Sequence, residues 1–387
     1  MDKANSASVI VVGGGVTGLS TAWWLAQRGV DVLVLEKSVI GREASGRNGG
    51  GAAHYYSPFF AEEQRLWQQL DEMLGYPTEF RPWRLAIAMT DEQADRNEKL
   101  IGISARLGKE AVRLDEKALR DRVPFVSDAA RGATLFKFGG QANPQRTVQA
   151  YAWALQDLGG RILQHTEVLG FESAGGRVHA VNTTAGRFGC DHLVLACGPG
   201  TAPMARALGV EVPMALARVE MVVTAPVPLM RIGGTDGNGL YGRQTLRGNL
   251  AYGGGPHEWL HRPEQGKFLR PTTPLVQHIG KRLYELYPKL GHLRLIRSWA
   301  GIVENTPDGR PILDRLPGHD NVALCSMSSV GFGLSPASGR AMSELVLDGS
   351  CSFADISSFR ISRFGNLPED WREKAGWITP ARTAEHA

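Results

Sequence analysis

Residues 8–12 (SVIVV) form a short β-branched run, residues 13–18 (GGGVTG) interrupt it, and Leu19, Ala22, Trp23 and Ala26 then recur at helical spacing up to Gly29. A second apolar run, VDVLVLE over 30–36, follows at once. Strand, glycine turn, helix and strand in that order predict a βαβ unit whose strands are parallel neighbours in a buried sheet. After a Gly/Ser/Arg/Asn loop at 41–51, residues 61–122 read as helix-like and rich in charge. Residues 143–160 predict a well-bounded helix, with an Asn cap, a Pro in the first turn and a Gly stop. A hairpin pattern over 175–197 ends in the apolar strand HLVLAC and a Gly turn. Residues 212–300 carry more Pro, Gly and alternating segments, which predicts an antiparallel sheet, with Gly253 to Gly255 closing one of its hairpins. From 321 the order returns to strand (NVALCSM), Gly-rich turn (SSVGFGLSP) and a helix opening at Pro336.

The expected fold class is α/β, or α+β overall: a Rossmann-like dinucleotide domain with an antiparallel-sheet domain inserted into it. Residues 1–75, 143–212 and 297–360 are expected in the first, 76–142 and 213–296 in the second, and 361–387 form a polar C-terminal tail.

Composition narrows this further. Glycine supplies 47 of 387 residues, well above the roughly 7% of an average protein, so many backbone positions need positive φ or close approach. The net charge of +4 is spread along the chain, giving no support to a nucleic-acid partner. Four cysteines without CxxC spacing exclude a disulfide framework and a cluster or zinc site built from this chain alone, and fit a reducing, cytoplasmic location. The apolar stretch at 9–26 is broken by Gly and Thr and has no basic flank, so neither a signal peptide nor an integral membrane span is expected.

Chemistry enters with Gly13-x-Gly15-x-x-Gly18, between strand and helix, with Val16 and Thr17 inside it and Glu36 and Lys37 at the end of the second strand. Glycines permit the tight turn and backbone approach, the helix N-terminus faces a pyrophosphate, and the acid accepts from ribose hydroxyls. A lone GxGxxG is weak, but here strand, helix, second strand and acid all fall in place. No second unit of this kind appears, which argues against a flavoprotein reduced by NADPH.

The run EKSVIGREASGRNGGG (36–51) resembles the flavin-contacting loop of the D-amino acid oxidase, glycine oxidase and sarcosine oxidase superfamily. That resemblance implies a non-covalent FAD touched by Ala44, Ser45, Arg47, Asn48, Gly49 and Gly50, with Val168 presenting backbone to the adenine and Gly198 in the second βα turn. RSWAGIVENTPDGRPIL (297–313) and SSVGFGLSPASG (328–339) resemble the closing signature of the family. There Val330, Gly331, Phe332, Gly333, Leu334 and Ser335 are expected at the flavin N1/C2=O edge, where backbone N–H groups favour the reduced flavin. Two departures stand out. The Gly-His-Gly of many relatives is replaced by Ser328-Ser329-Val330-Gly331, and the position of the flavin-bearing cysteine of monomeric sarcosine oxidases is Gly301.

The resemblance implies FAD-dependent oxidation of an amine or amino acid, by hydride transfer from the α-carbon to flavin N5. ASGRNGGG, YGRQT and NTPDGRPI look most like the FAD-bearing β subunits of D-hydroxyproline, opine and proline dehydrogenases, which implies iron–sulfur or second flavin partner subunits. A self-sufficient oxidase of the glycine or sarcosine type and a non-catalytic electron-relay subunit remain open. Catalytic candidates are His54 and Tyr55, in a loop similar to that of D-arginine dehydrogenase, and Tyr241 and Arg243, spaced i, i+2 on one strand face. Arg243 is either a carboxylate clamp or half of a structural ion pair. His54 is either a pocket residue or merely packed, and Glu304 either binds a cationic or hydroxylated part of the substrate or is a surface acid.

Overall fold

The computed structural model describes residues 5–54, 56–260, 270–368 and 370–371. Two sheets organise the chain. The first, of eight strands, runs in the order Ile312–Arg315, Val322–Ser326, Gly186–Leu195, Ser6–Val12, Val32–Leu35, Arg161–Leu163, with the antiparallel strands Val168–Ala174 and Arg177–Thr183 attached to Gly186–Leu195. Its middle strands pair in parallel. Both Val32–Leu35 and Val322–Ser326 are buried at every position, as strands covered on both faces must be. The helices Val16–Gln27, Pro144–Asp157 and Gly331–Asp348 share one apolar core on one face, and a second core lies on the other.

The second sheet has ten strands and a core of its own. It runs Glu258–Leu260, Ala215–Pro226, Asn249–Gly254, Leu240–Gln244, Gly234–Gly237, Arg81–Ile87, Ala133–Gln141, Gly51–Ala52, with Leu295–Asn305 beside Ala215–Pro226 and Ala111–Leu114 beside Ala133–Gln141. Pairing is antiparallel except between Gly234–Gly237 and Arg81–Ile87. Among the described residues, no helix is long and apolar enough to cross a membrane.

Several local signals act as their chemistry requires. Asn143 accepts from the N–H groups of Gln145 and Arg146 at the start of Pro144–Asp157, and Thr90 and Asp115 cap the two charged helices before it, Asp91–Arg106 and Glu116–Arg122, in the same way. Four details differ from the sequence expectation. The charged stretch 61–122 holds the strands Arg81–Ile87 and Ala111–Leu114 between its helices. Leu295–Asn305 lies wholly in the second sheet. Gly253 sits inside a strand rather than in a turn, and its glycine serves close packing there, since a Cβ would stand 2.9 Å from the Tyr241 hydroxyl. Finally, the last helix begins at Gly331 and contains Pro336. The proline removes only the bond to the Phe332 carbonyl, and neighbouring side chains fasten this stretch of helix: Trp67 Nε1 donates to Gly333 O at 2.7 Å, Ser20 Oγ to Ser335 O at 2.8 Å and Trp24 Nε1 to Pro336 O at 3.0 Å.

Candidate functional site

The C-terminal ends of the parallel strands open onto a glycine cradle. Gly13 leaves its strand at φ 110°, and a Cβ there would stand 2.9 Å from the Ala196 carbonyl carbon on the neighbouring strand. Only glycine fits both constraints. The Glu36 carboxylate turns back across this turn, accepting from Gly14 N–H at 2.8 Å and from Ser38 N–H at 2.8 Å. Lys37 beside it is exposed. The backbone of Glu36 is held by Leu163 O at 2.9 Å and by Thr166 N–H at 2.8 Å, and Val168, 5% exposed, packs into the second core beyond.

Residues Ala44–Arg47 form one short turn of helix. Ser45 Oγ accepts from Val16 N–H at 2.9 Å at the N-terminus of the first helix. Asn48 donates to Ala44 O and Ser45 O and accepts from Gly50 N–H at 2.8 Å, which folds the loop on itself. Arg47 Nη1 donates to Ala300 O at 2.6 Å, and Trp299 Nε1 donates to Arg47 O at 2.8 Å. This arginine therefore ties the loop to the second sheet, and Gly51–Ala52 then enters that sheet as a strand.

The last helix meets the same cradle through a strained turn. Ser328 and Ser329 have φ of 47° and 68°, each at a cost of about 1–2 kcal/mol for a residue with a Cβ. Their hydroxyls hold the turn: Thr306 N–H donates to Ser328 Oγ at 3.1 Å, and Ser329 Oγ donates to Glu304 O and Asn305 Oδ1 at 3.2 and 3.0 Å. Val330 and Gly331 stay accessible at the helix start, with Thr17 nearby. Phe332, Gly333, Leu334 and Ser335 are buried in the helix, and the Phe332 ring lies 5.5 Å from that of Trp67.

Facing the loop, the second sheet presents Tyr241 and Arg243, and the i, i+2 spacing does put both on one face. The Tyr241 ring would stand 3.2 Å from a Cβ at Gly49, and Arg243 Nη1 donates to Gly49 O at 3.1 Å. Among the described residues, Arg243 makes no ion pair. Burial pulls its guanidinium down to about 10 and pushes the Tyr241 phenol up to about 12, yet both keep accessible surface, as groups walling a concavity do. Glu304 is no surface acid: it is 7% exposed, accepts from Met327 N–H at 3.1 Å and lies near Gly198. Burial raises its carboxyl above the ordinary range. Tyr55 falls outside the described residues.

Three participants escaped the sequence reading. Arg81 lines a narrow crevice with Arg243, Gln141 and Glu79; its Nη1 and Gln141 Oε1 are buried without a partner among the described residues, and desolvation lowers its pKa. The third, Glu63, is completely buried against His54. Glu63 was legible in principle, since it falls on the stripe Phe60, Trp67, Leu70, Leu74 that the helix Phe60–Leu74 buries. Arg81 carried no such signal, because its strand sits in a segment of helical composition, and Gln141 is set beside it by the pairing of Arg81–Ile87 with Ala133–Gln141.

A glycine cradle that any Cβ would fill, a helix N-terminus, a carboxylate at the second strand end and a second helix N-terminus converging on one loop fit a flavin dinucleotide. Comparison with known proteins agrees. The family model "FAD dependent oxidoreductase" matches residues 8–345. The sarcosine oxidase subunit beta of Rhizobium meliloti is 31% identical over 373 residues, covering 92% of this chain and 88% of its own. The glycine oxidase of Pseudomonas putida is 27% identical, covering 88% and 94%. Among solved structures, glycine oxidase from Geobacillus kaustophilus superposes with a TM-score of 0.85 at 23% identity, over 94% of this chain and 100% of that one. With sequence, cradle and family model in agreement over most of its length, this chain belongs to the FAD-dependent oxidoreductase family.

Proposed function

We propose that this protein oxidises an amine or amino acid at the seam between its two sheets, with a D-amino acid, a D-hydroxyproline-like imino acid or an opine as substrate. The observation that carries this reading is the placement of Tyr241 and Arg243 against Gly49 in the cofactor loop. Non-covalently bound FAD supplies the two-electron oxidation, accepting a hydride from the substrate α-carbon. Ser45, Asn48 and the glycines of the loop would hold the cofactor, Glu36 would take its ribose, and Gly331 would offer its N–H to the ring edge, the Val330 N–H being spent on Met327 O at 3.0 Å. Arg243, desolvated and free of any carboxylate partner among the described residues, anchors the substrate carboxylate, and Tyr241 closes the seam against water. Glu304, buried and with its carboxyl raised above the ordinary range by desolvation, places a hydrogen-bonding group beside Gly198. The resulting imine hydrolyses in water.

Two named relatives of the sarcosine oxidase type are subunits, which supports a catalytic subunit that passes electrons to iron–sulfur or second flavin partners. The glycine oxidase likeness favours a second reading, a self-sufficient oxidase. Anaerobic mixing of the purified, FAD-loaded protein with a panel of D-amino acids, cyclic imino acids and N-alkyl amino acids tests the activity through bleaching of the flavin. A flavin that nothing on the panel reduces overturns the catalytic reading. Stoichiometric peroxide in air selects the oxidase over the dehydrogenase.

A further inference from the structure

Beside the cradle lies a pair that the reading above does not use. The loop leaving Gly51–Ala52 brings His54 to the start of the last helix, where a Cβ on Gly333 would stand 2.7 Å from the His54 Nδ1. Glu63, one turn into the helix Phe60–Leu74, faces it with no exposed surface at all. Both carboxylate oxygens are spent on this one residue: Oε1 lies 2.7 Å from His54 Nδ1, and Oε2 accepts from His54 N–H at 3.1 Å. Two bonds to one residue fix the ring's rotation as well as its tautomer, since an acceptor at Nδ1 requires the proton there and leaves Nε2 as the lone-pair nitrogen. Among the described residues Nε2 has no hydrogen-bond partner, while the His54 side chain keeps 14% of its surface.

A carboxylate in an apolar helix stripe is costly to bury, and packing alone is better served there by leucine. A carboxylate orienting an imidazole with the far nitrogen open is the arrangement by which proteins make a proton acceptor. Two charged groups on neighbouring elements are paired elsewhere. Arg84, beside Gly51, is paired with Asp236, and the first charge along the last helix, Arg340, is paired with Glu62 and Glu344. The Tyr56 ring, 6.0 Å away, meets the imidazole edge-on.

We infer that His54 takes the proton from the substrate ammonium before oxidation, and that Glu63 is the positioning residue that holds it in the accepting tautomer. This rests on the amine oxidation proposed above. The substrate N–H proton passes to His54 Nε2, which becomes an imidazolium stabilised by Glu63. The neutral amine then releases its α-hydride with the electron pair to the bound FAD as the C=N bond forms. The iminium leaves to be hydrolysed, and His54 returns its proton to solvent.

The test follows flavin reduction in the FAD-loaded protein by anaerobic stopped flow across pH, with a substrate from the panel. His54→Gln is expected to reduce flavin about 10²–10⁴-fold more slowly at pH 7, with the deficit closing as pH rises and the substrate loses its proton unaided. Glu63→Gln, whose amide cannot accept both bonds, should fall between that variant and the parent, and Glu63→Asp should recover part of the loss. FAD affinity should stay within about twofold throughout. ¹⁵N NMR of the unmutated holoprotein should show Nδ1 protonated and Nε2 bare, a readout that survives if a variant folds poorly. A His54→Gln protein with the parental pH profile, or an Nε2–H tautomer, overturns the inference. Failure of every amine to reduce the parent protein overturns the proposed function instead.

Discussion

The cradle can be probed by adding a single methyl group to Gly13. At φ 110° an alanine carries about 1–2 kcal/mol of backbone strain. Its Cβ would also stand 2.9 Å from the Ala196 carbonyl carbon, at least ~0.6 Å inside the carbon–carbon optimum. The obstruction is backbone in a central parallel strand, so it cannot swing aside, and overpacking adds about 1–3 kcal/mol. The sum, about 2–5 kcal/mol, is reduced by the roughly 0.4–1 kcal/mol that alanine gains by restricting the unfolded chain. Gly159→Ala is the matched control: φ there is 82° and nothing lies within 4 Å of the added carbon, leaving only the backbone part. If the Gly13→Ala turn relaxes to shed its strain, binding must restore it, and a strain of 2–4 kcal/mol corresponds to ~30–1000-fold weaker FAD. Urea unfolding of both apoproteins and titration of FAD by fluorescence quenching measure the two quantities. If Gly13→Ala binds FAD like the parent and unfolds no more easily than Gly159→Ala, the cradle argument is refuted.

Three further outcomes follow from the same geometry. Arg243→Met should raise KM for carboxylate-bearing substrates by about 10–100-fold, the worth of a charge-assisted pair, with the flavin spectrum unchanged; steady-state kinetics with a substrate and its amide checks it. Burial raises the Glu304 carboxyl above its ordinary value of 4.5. The folded state therefore holds that proton more tightly, and the ionised form costs stability above the raised value. Glu304→Gln should accordingly melt higher than the parent at pH 8, with the gap shrinking as pH falls toward 4.5, in paired thermal melts. Asn143→Ala removes the cap on Gln145 and Arg146 and should cost about 1 kcal/mol in urea unfolding.

The cofactor half of the molecule was legible because its signals are local. Gly13, Glu36 and the Asn143 cap sit at fixed offsets from strands and helices whose periodicity is strong, and Ser45 and Asn48 follow in an uninterrupted run. The substrate half is built from distant pairings. Arg81–Ile87 alternates only over Trp83, Leu85 and Ile87, inside a charged segment, and it is stabilised by Ala133–Gln141 and Gly234–Gly237, far along the chain. Leu295–Asn305 is placed by ten register pairs with Ala215–Pro226, which no local pattern announces. Pro336 misled for the opposite reason: a helix normally starts near a proline, but this one begins at Gly331 and loses only the bond to the Phe332 carbonyl.

The Arg47 anchor has a consequence for how the holoprotein comes together. Its loop is fastened to the second sheet at Ala300 and Trp299 and to the first helix through Ser45 and Val16, so on the function proposed above the segment that would close over FAD is also the clasp between the two sheets. Cofactor capture and docking of the halves are then a single cooperative event. A lesion as remote as Trp299→Phe, which touches nothing in the glycine cradle, should surface first as a protein that is purified colourless.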